Sequence, residues 1–198
     1  MTIFDHQTVA RTERYAGPIF TVYSDKVTMS GGGTASRDVV ENQGAVGVVA
    51  LDAVGRVVLI RQYRHPVGQR LWEVPAGLRD VEGEDMLLTA RRELAEEADY
   101  SAGRYDLLVD LQTSPGFSNE VIRMFLARDL SPVPEQERHE RLDEEADIEI
   151  GWFDLDEAVA MVLRGEITNS STAAGLLAAA RARDDGWATL RPADAPLP

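Results

Sequence analysis

Between residues 45 and 64 the chain carries two β-branched runs, AVGVVAL (45–51) and RVVLIRQYR (56–64), separated by the short Asp/Gly turn DAVG. That pattern predicts a β-hairpin. LWEVPAG (71–77) reads as another short strand, stopped by Pro75 and Gly77. From about Asp85 to Ala98 the period changes. Leu87, Leu94 and Ala98 stand seven and four apart, on one side of a helix. YDLLVDLQ (105–112) and VIRMFLA (121–127) read as strands around the loop TSPGFSNE, and IEIGWF as a strand after a charged segment from Glu135 to Glu149. Two helices follow, roughly Leu155–Arg164 and Ser170–Arg183. The first 40 residues read as a polar lead with one strand near Phe20–Met29 and a flexible turn at Gly31, Gly32 and Gly33. The end of the chain, 186–198, rich in Pro, Ala and Asp, reads as a flexible tail. Strands and helices mix without regular βαβ alternation, which excludes a simple doubly wound sheet.

Composition adds limits. With 198 residues, 44 % apolar and 27 % charged, the chain can bury the core of one domain with a modest extension. The net charge of −14 repels phosphate backbones, so neither nucleic acid nor an anionic membrane surface is an expected partner. A phosphorylated small molecule stays open, because a bound divalent cation reverses the local sign. The excess is local: residues 77–100 carry −5 of the −14 and residues 135–149 carry −6. Without cysteine there are no disulfides, thiolate metal sites or Cys nucleophiles. No apolar stretch approaches the roughly 20 residues that span a bilayer. The opening MTIFDHQTVARTERYAG lacks the apolar run of a signal peptide, so a soluble cytoplasmic protein is expected.

The first acidic stretch holds the candidate chemistry. Glu93, Glu96 and Glu97 are spaced i, i+3, i+4 and share about 100° of helical arc, placed opposite the Leu87/Leu94/Ala98 stripe. Three crowded carboxylates repel one another unless cations sit between them. Hard oxygen ligands of this kind suit Mg²⁺ or Mn²⁺ rather than Zn²⁺. A solvated face with Arg91 and Arg92 as partners is the plainer alternative.

The wider pattern decides between them. Gly77, Glu84, seven residues, and then Arg92-Glu93-Leu94-x-Glu96-Glu97 resembles the Nudix box, G-x5-E-x7-R-E-U-x-E-E-x-G-U, with U aliphatic. Two positions depart from it. Gly77 stands seven residues before Glu84 instead of six, and the second glycine is Asp99, followed by Tyr100 in place of an aliphatic residue. Neither departure removes a carboxylate, and Asp tolerates the left-handed conformation that the glycine would supply. Outside the box, RQYRHP, VPAG, SPG-x-S-x-E with Pro115 fifteen residues past Tyr100, E-x-x-D-I and GEITNSSTAAG are similar to the ADP-ribose pyrophosphatase subgroup.

That resemblance implies a fold and a set of roles. The fold is the α/β Nudix fold, an α/β/α sandwich around a mixed β-sheet, over residues 41–185. An N-terminal β extension, 1–40, joins two copies as a homodimer, and Tyr15, Phe20 and Tyr23 are available there to stack adenine. Glu93, Glu96, Glu97 and the Ala76 carbonyl would hold Mg²⁺, with Mn²⁺ as a substitute, which makes Glu93 and Glu97 catalytic as well as metal-binding. Arg92 would orient a neighbouring glutamate. Glu84 would support the ligands or favour the helix dipole. Glu144, with Glu145 as the next choice, would be the general base that deprotonates the attacking water. Arg64 would hold a substrate phosphate. Glu120 would contact ribose hydroxyls, with Arg61 and Phe117 as further substrate-binding candidates. His65 is expected to fix a turn, and Trp72 and Trp152 to be core. The implied reaction splits ADP-ribose to AMP and ribose 5-phosphate. Other nucleoside-diphosphate sugars such as GDP-mannose form the alternative enzyme reading, and a non-catalytic ligand-sensing Nudix module the alternative from another class.

Overall fold

The computed structural model describes residues 5–79, 83–142 and 146–197. By its internal packing the chain falls into two units: the described residues up to Gly44 together with Gln112–Val121, and Ala45–Leu111 together with Ile122 onward.

The first unit is an antiparallel sheet of three nine-residue strands, β1 (Thr8–Ala16), β2 (Phe20–Thr28) and β3 (Thr34–Asn42), in that order. Only β2 was expected. The polar lead is β1, and β3 follows the glycine turn. TVARTERYA has no apolar alternation to betray it, because all nine residues are exposed. Its long-range partners, Arg11 with buried Asp25 at 2.8 Å and with Glu41 at 3.1 Å, are charged instead. The loop 112–121 joins this unit through Val40, whose N–H donates to the Phe117 carbonyl (2.7 Å) and whose carbonyl accepts from the Asn119 N–H (3.2 Å).

Among its described residues the second unit contains two sheets and three α-helices. Its strands are β4 (Ala45–Ala50), β5 (Arg56–Arg64), β6 (Gln69–Glu73), β7 (Ala76–Leu78), β8 (Tyr100–Gln112), β9 (Val121–Pro132), β10 (Glu149–Asp154) and β11 (Arg191–Pro192). The helices are α1 (Met86–Ala98), α2 (Leu155–Leu163) and α3 (Ser170–Asp184). One sheet runs β11-β8-β9-β4-β7 and is mixed, with β4 parallel to β9 and antiparallel to β7. The other is the antiparallel trio β10-β5-β6.

The expected hairpin is corrected here. Its turn forms, with the Asp52 N–H donating to the Arg56 carbonyl at 2.9 Å, and a single bridge links Leu51 to Val57. Beyond that bridge the two strands diverge into different sheets. All six residues of β4 are buried, and a strand apolar on both faces belongs inside a sheet with helices on each side. Val46, Val48 and Ala50 pack with Met86, Ala90, Leu94 and Ala98 of α1. Val49 packs on the opposite side with Leu155, Ala158 and Met161 of α2 and Leu176 and Ala179 of α3. Alternate residues of one strand thus serve two helical layers, which is the sandwich that the fold class calls for.

LWEVPAG also divides, at Val74–Pro75, into β6 and β7 in separate sheets. Proline cannot donate to a ladder, so the chain changes sheets where the ladder would otherwise break. Of the segment 186–198, expected as a flexible tail, the described residues 186–197 make specific contacts. Arg191 and Pro192 pair with Leu107 and Asp106, and buried Arg123 donates to the carbonyls of Ala195 (2.7 Å) and Pro196 (3.1 Å).

Candidate functional site

Helix α1 starts at Asp85, whose carboxylate accepts the Leu87 N–H at 2.8 Å and so caps the first turn. It ends at Asp99, which takes the left-handed conformation (φ 60°, ψ 31°) expected at the place of the missing glycine. The carboxylates do not stand opposite the apolar stripe. Glu93 is 7 % exposed and Glu97 5 %, and both flank Ala90 and Leu94 on the buried side, where α1 meets β7. A solvated face is thereby excluded for these two, while Glu96 is half-buried. Burying two carboxylates on adjacent turns demands compensation.

Part of that compensation comes from the chain. The Ala76 N–H donates to Glu97 Oε2 at 2.8 Å. Arg92 places Nη1 2.7 Å from Glu93 Oε1 and 3.0 Å from Glu96 Oε2, and Nη2 3.4 Å from Glu84 Oε2. Burial opposes the charge on Arg92, but the field of Glu93 and the bonds to Glu96 and Glu84 outweigh it and hold its proton more tightly than usual. Glu84 is also fixed by Thr89, whose hydroxyl donates to Oε2 at 2.9 Å.

Gly77 explains why the motif begins with glycine. A β-carbon at this position would lie 2.1 Å from both Cδ and Oε1 of Glu93, so only hydrogen lets the carboxylate lie against β7. Among the described residues no three acids or histidines form a ready-made cation cage. The donors nevertheless fit a hard divalent ion: two buried carboxylates, a third half-buried on the same helix, and the backbone of Ala76 within hydrogen-bond reach of Glu97.

Beside them lies a cavity of about 180 Å³ lined by Ala45, Arg64, Glu73, Ala76, Gly77 and Asn169 among others. Arg64 lines it in a forked pair with Glu73, Nε at 3.0 Å from Oε1 and Nη2 at 2.7 Å from Oε2. Glu73 is 2 % exposed and was not singled out from the sequence. Its signal was a carboxylate inside the otherwise apolar run LWEVPAG, two residues from Leu71 and so on the same strand face.

The other candidates are placed elsewhere. Arg61 lies 3.7 Å from Glu149 and 5.8 Å from the Trp72 ring. Glu120 and Phe117 belong to the first unit: Glu120 accepts from the Thr113 hydroxyl and, at 3.2 Å, from Asn42 Nδ2, and Phe117 is exposed. His65 opens a single 3-10 turn, His65–Val67. Trp72 and Trp152 stack edge-on with Phe153 (5.0 Å) and Tyr100 (5.2 Å) against the two core clusters. In the first unit Tyr15 and Phe20 are exposed neighbours with centroids 5.8 Å apart, and the Arg11 guanidinium covers Tyr23. Glu144 and Glu145 lie outside the described residues.

Comparison with known proteins extends the picture along the whole chain. It is 47 % identical to the ADP-ribose pyrophosphatase of Mycobacterium tuberculosis (strain ATCC 25618 / H37Rv) over 194 residues, 98 % of this chain and 92 % of that one. It is 32 % identical to the ADP-ribose pyrophosphatase of Bacillus subtilis (strain 168), over 87 % of this chain and 91 % of that one. In structure it is similar to a crystal structure described as an ADP compounds hydrolase, with a TM-score of 0.79 over 94 % of this chain and 98 % of the other, at 20 % identity. The NUDIX domain model matches residues 41–174, a span that takes in the carboxylate helix, the glycine it leans on, β4 and α2. By that match and by its relatives, the chain belongs to the NUDIX domain family.

Proposed function

We propose that this protein hydrolyses the diphosphate bond of ADP-ribose to AMP and ribose 5-phosphate in a Mg²⁺-dependent reaction, acting as a homodimer in the cytoplasm. The observation that carries the reading is the 47 % identity to an ADP-ribose pyrophosphatase along 98 % of the chain, which includes the first unit as well as the carboxylate helix. Glu93, Glu96, Glu97 and the Ala76 carbonyl would hold the ion. When bound, Mg²⁺ supplies the positive charge that neutralises the diphosphate oxygens and polarises phosphorus.

The chain's own groups do the rest. Arg92 keeps Glu93 and Glu96 oriented. Glu144, or Glu145 if Glu144 is not the base, takes a proton from water as its oxygen bonds to one phosphorus and the bridging P–O bond breaks. Arg64, held by Glu73, offers a fork of donors to a phosphate oxygen. Glu120 accepts from ribose hydroxyls, with Phe117 and Arg61 as further contacts. Dimerisation uses the first unit, where β1 is exposed along its whole length.

Hydrolysis of ADP-ribose with Mg²⁺ in ¹⁸O-labelled water tests the reading, and mass spectrometry of the products identifies the attacked phosphorus. One ¹⁸O in either AMP or ribose 5-phosphate is expected. A higher kcat/KM for GDP-mannose would move the substrate to the nucleotide sugars. Tight ADP-ribose binding without turnover would favour a sensing module.

A further inference from the structure

The stretch GEITNSSTAAG opens α3, and its side chains reach the bend between β6 and β7. Asn169 caps the helix: its Oδ1 accepts the Thr172 N–H at 2.9 Å and the Ser171 hydroxyl at 2.8 Å. That cap fixes the first turn, in which Thr172 is 1 % exposed. The Thr172 Oγ1 accepts the Val74 N–H at 3.1 Å, across 98 residues of chain. Val74 needs that acceptor. The β5–β6 pairing ends at Glu73, so the next N–H has left one sheet before the chain joins the other. Val74 is buried, and a buried N–H without a partner is costly.

The bend is held at two further points. The Val48 N–H donates to the Pro75 carbonyl at 2.9 Å, and the Ala76 N–H to Glu97 Oε2 at 2.8 Å. In the β4–β7 ladder Gly47 stands opposite Ala76. The bond from Val48 to Pro75 makes that a non-hydrogen-bonded pair. Ala76 therefore turns both its N–H and its carbonyl away from β4, to the side where Glu97 takes the N–H. Between Val74 and Ala76 the chain is stiff, because proline locks its own φ and restricts the residue before it to extended backbone. A displacement at Val74 is carried to Ala76 instead of being absorbed.

We propose that Thr172 is a positioning residue for the metal site: its hydroxyl holds the Val74 N–H and thereby sets where the Ala76 carbonyl stands beside Glu97. The proposal rests on Ala76 and Glu97 holding Mg²⁺. Thr172 acts only through Val74, Pro75 and Ala76, and it gives α3 a part in a site otherwise built from β7 and α1.

The test compares wild type with Thr172→Val, which keeps the shape and removes the acceptor, and Thr172→Ser, which keeps the acceptor. Leu107→Val is the control: it thins the core at β8, three strands from β7 in the sheet order, and lowers Tm. Mg²⁺ binding is read by calorimetry on the substrate-free protein, and turnover of ADP-ribose over a series of Mg²⁺ concentrations. Thr172→Val should weaken Mg²⁺ binding about tenfold, as loss of a group that supports a metal ligand does, with kcat recovering at saturating Mg²⁺. Thr172→Ser and Leu107→Val should both stay within about twofold of wild-type affinity. If Thr172→Val does not fold, Thr172→Ala, which leaves room for a water at the Val74 N–H, should show a smaller loss in the same direction. Wild-type Mg²⁺ affinity in a folded variant without the hydroxyl overturns the proposal. An equal loss in Leu107→Val overturns it too, since lowered stability alone would then account for the effect. A wild type that binds no Mg²⁺ overturns the proposed metal site and this inference with it, whereas normal wild-type binding with unaffected variants overturns the positioning role alone.

Discussion

A β-carbon at position 77 would sit 2.1 Å from the carboxyl carbon of Glu93, and the obstacle cannot relax by moving a flexible side-chain end into water, because Glu93 is buried. Gly77→Ala should therefore displace the carboxylate while leaving the chain folded. Turnover should fall by about a hundredfold, with near-normal circular dichroism. A Gly77→Ala protein as active as wild type would mean that Glu93 is not needed in this position. Glu97→Gln removes the charge of a 5 %-exposed group that already accepts the Ala76 N–H. Activity should drop at least about a hundredfold and Mg²⁺ affinity should weaken. Titration of Mg²⁺ by calorimetry separates the two effects. At this scale the sequence was informative, because i, i+3, i+4 spacing is a local property of a helix. It placed Glu93 and Glu97 too far from the buried face: the apolar stripe was drawn through Leu87, which is only partly buried, when Met86 and Ala90 extend the packed face toward them. Glu73 was missed since its partner, Arg64, stands across a strand pair.

Among elements, β8 offers a test that separates packing from charge. Tyr105 lies against the α1 core cluster, and its phenol oxygen is buried with no hydrogen-bond partner among the described residues. Burial pushes its pKa up to about 12, and the Arg91 guanidinium over the ring pulls weakly the other way. The unfolded phenol ionises near pH 10, so the folded state alone keeps the proton between 10 and 12. This contribution is full below pH 10 and is lost as pH rises toward 12. Tyr105→Phe should match or exceed wild-type stability at pH 8, because no bond is lost, and should lose less stability between pH 8 and 11. Equal alkaline losses in the two proteins, read as shifts in Tm, would show that the phenol titrates normally. Element identity was legible where burial follows the helical period, as in α1, and where β-branched residues run together, as in β4 and β5. β1 and β3 were not, because β1 is exposed throughout, no residue of β3 is fully buried, and their pairing is supplied by β2.

On the scale of the whole molecule, an exposed strand of nine residues is an edge that most proteins cover. Light scattering of the full chain should give twice the monomer mass. A monomer with full ADP-ribose turnover would remove the dimer from the proposed function. The charge of −14 also takes on a different meaning at this scale. Its two dense stretches, 77–100 and 135–149, do not simply repel each other: Arg141 joins the second to the end of α1, and Arg92 and Arg70 neutralise acids within each.

The sequence by itself determined the carboxylate helix, its left-handed end at Asp99, its opening glycine, the absence of cysteine chemistry and the family likeness. All of these depend on residues near one another along the chain or on a fixed motif spacing. Only the tertiary structure decided that the expected hairpin opens into two sheets, that LWEVPAG divides at Pro75, that Glu73 holds Arg64, and that Asp99 reaches Arg141. Each of those is a choice of partner over a long sequence separation. Local propensity cannot make that choice, because burial on both faces and the satisfaction of buried charges are settled only when the layers meet.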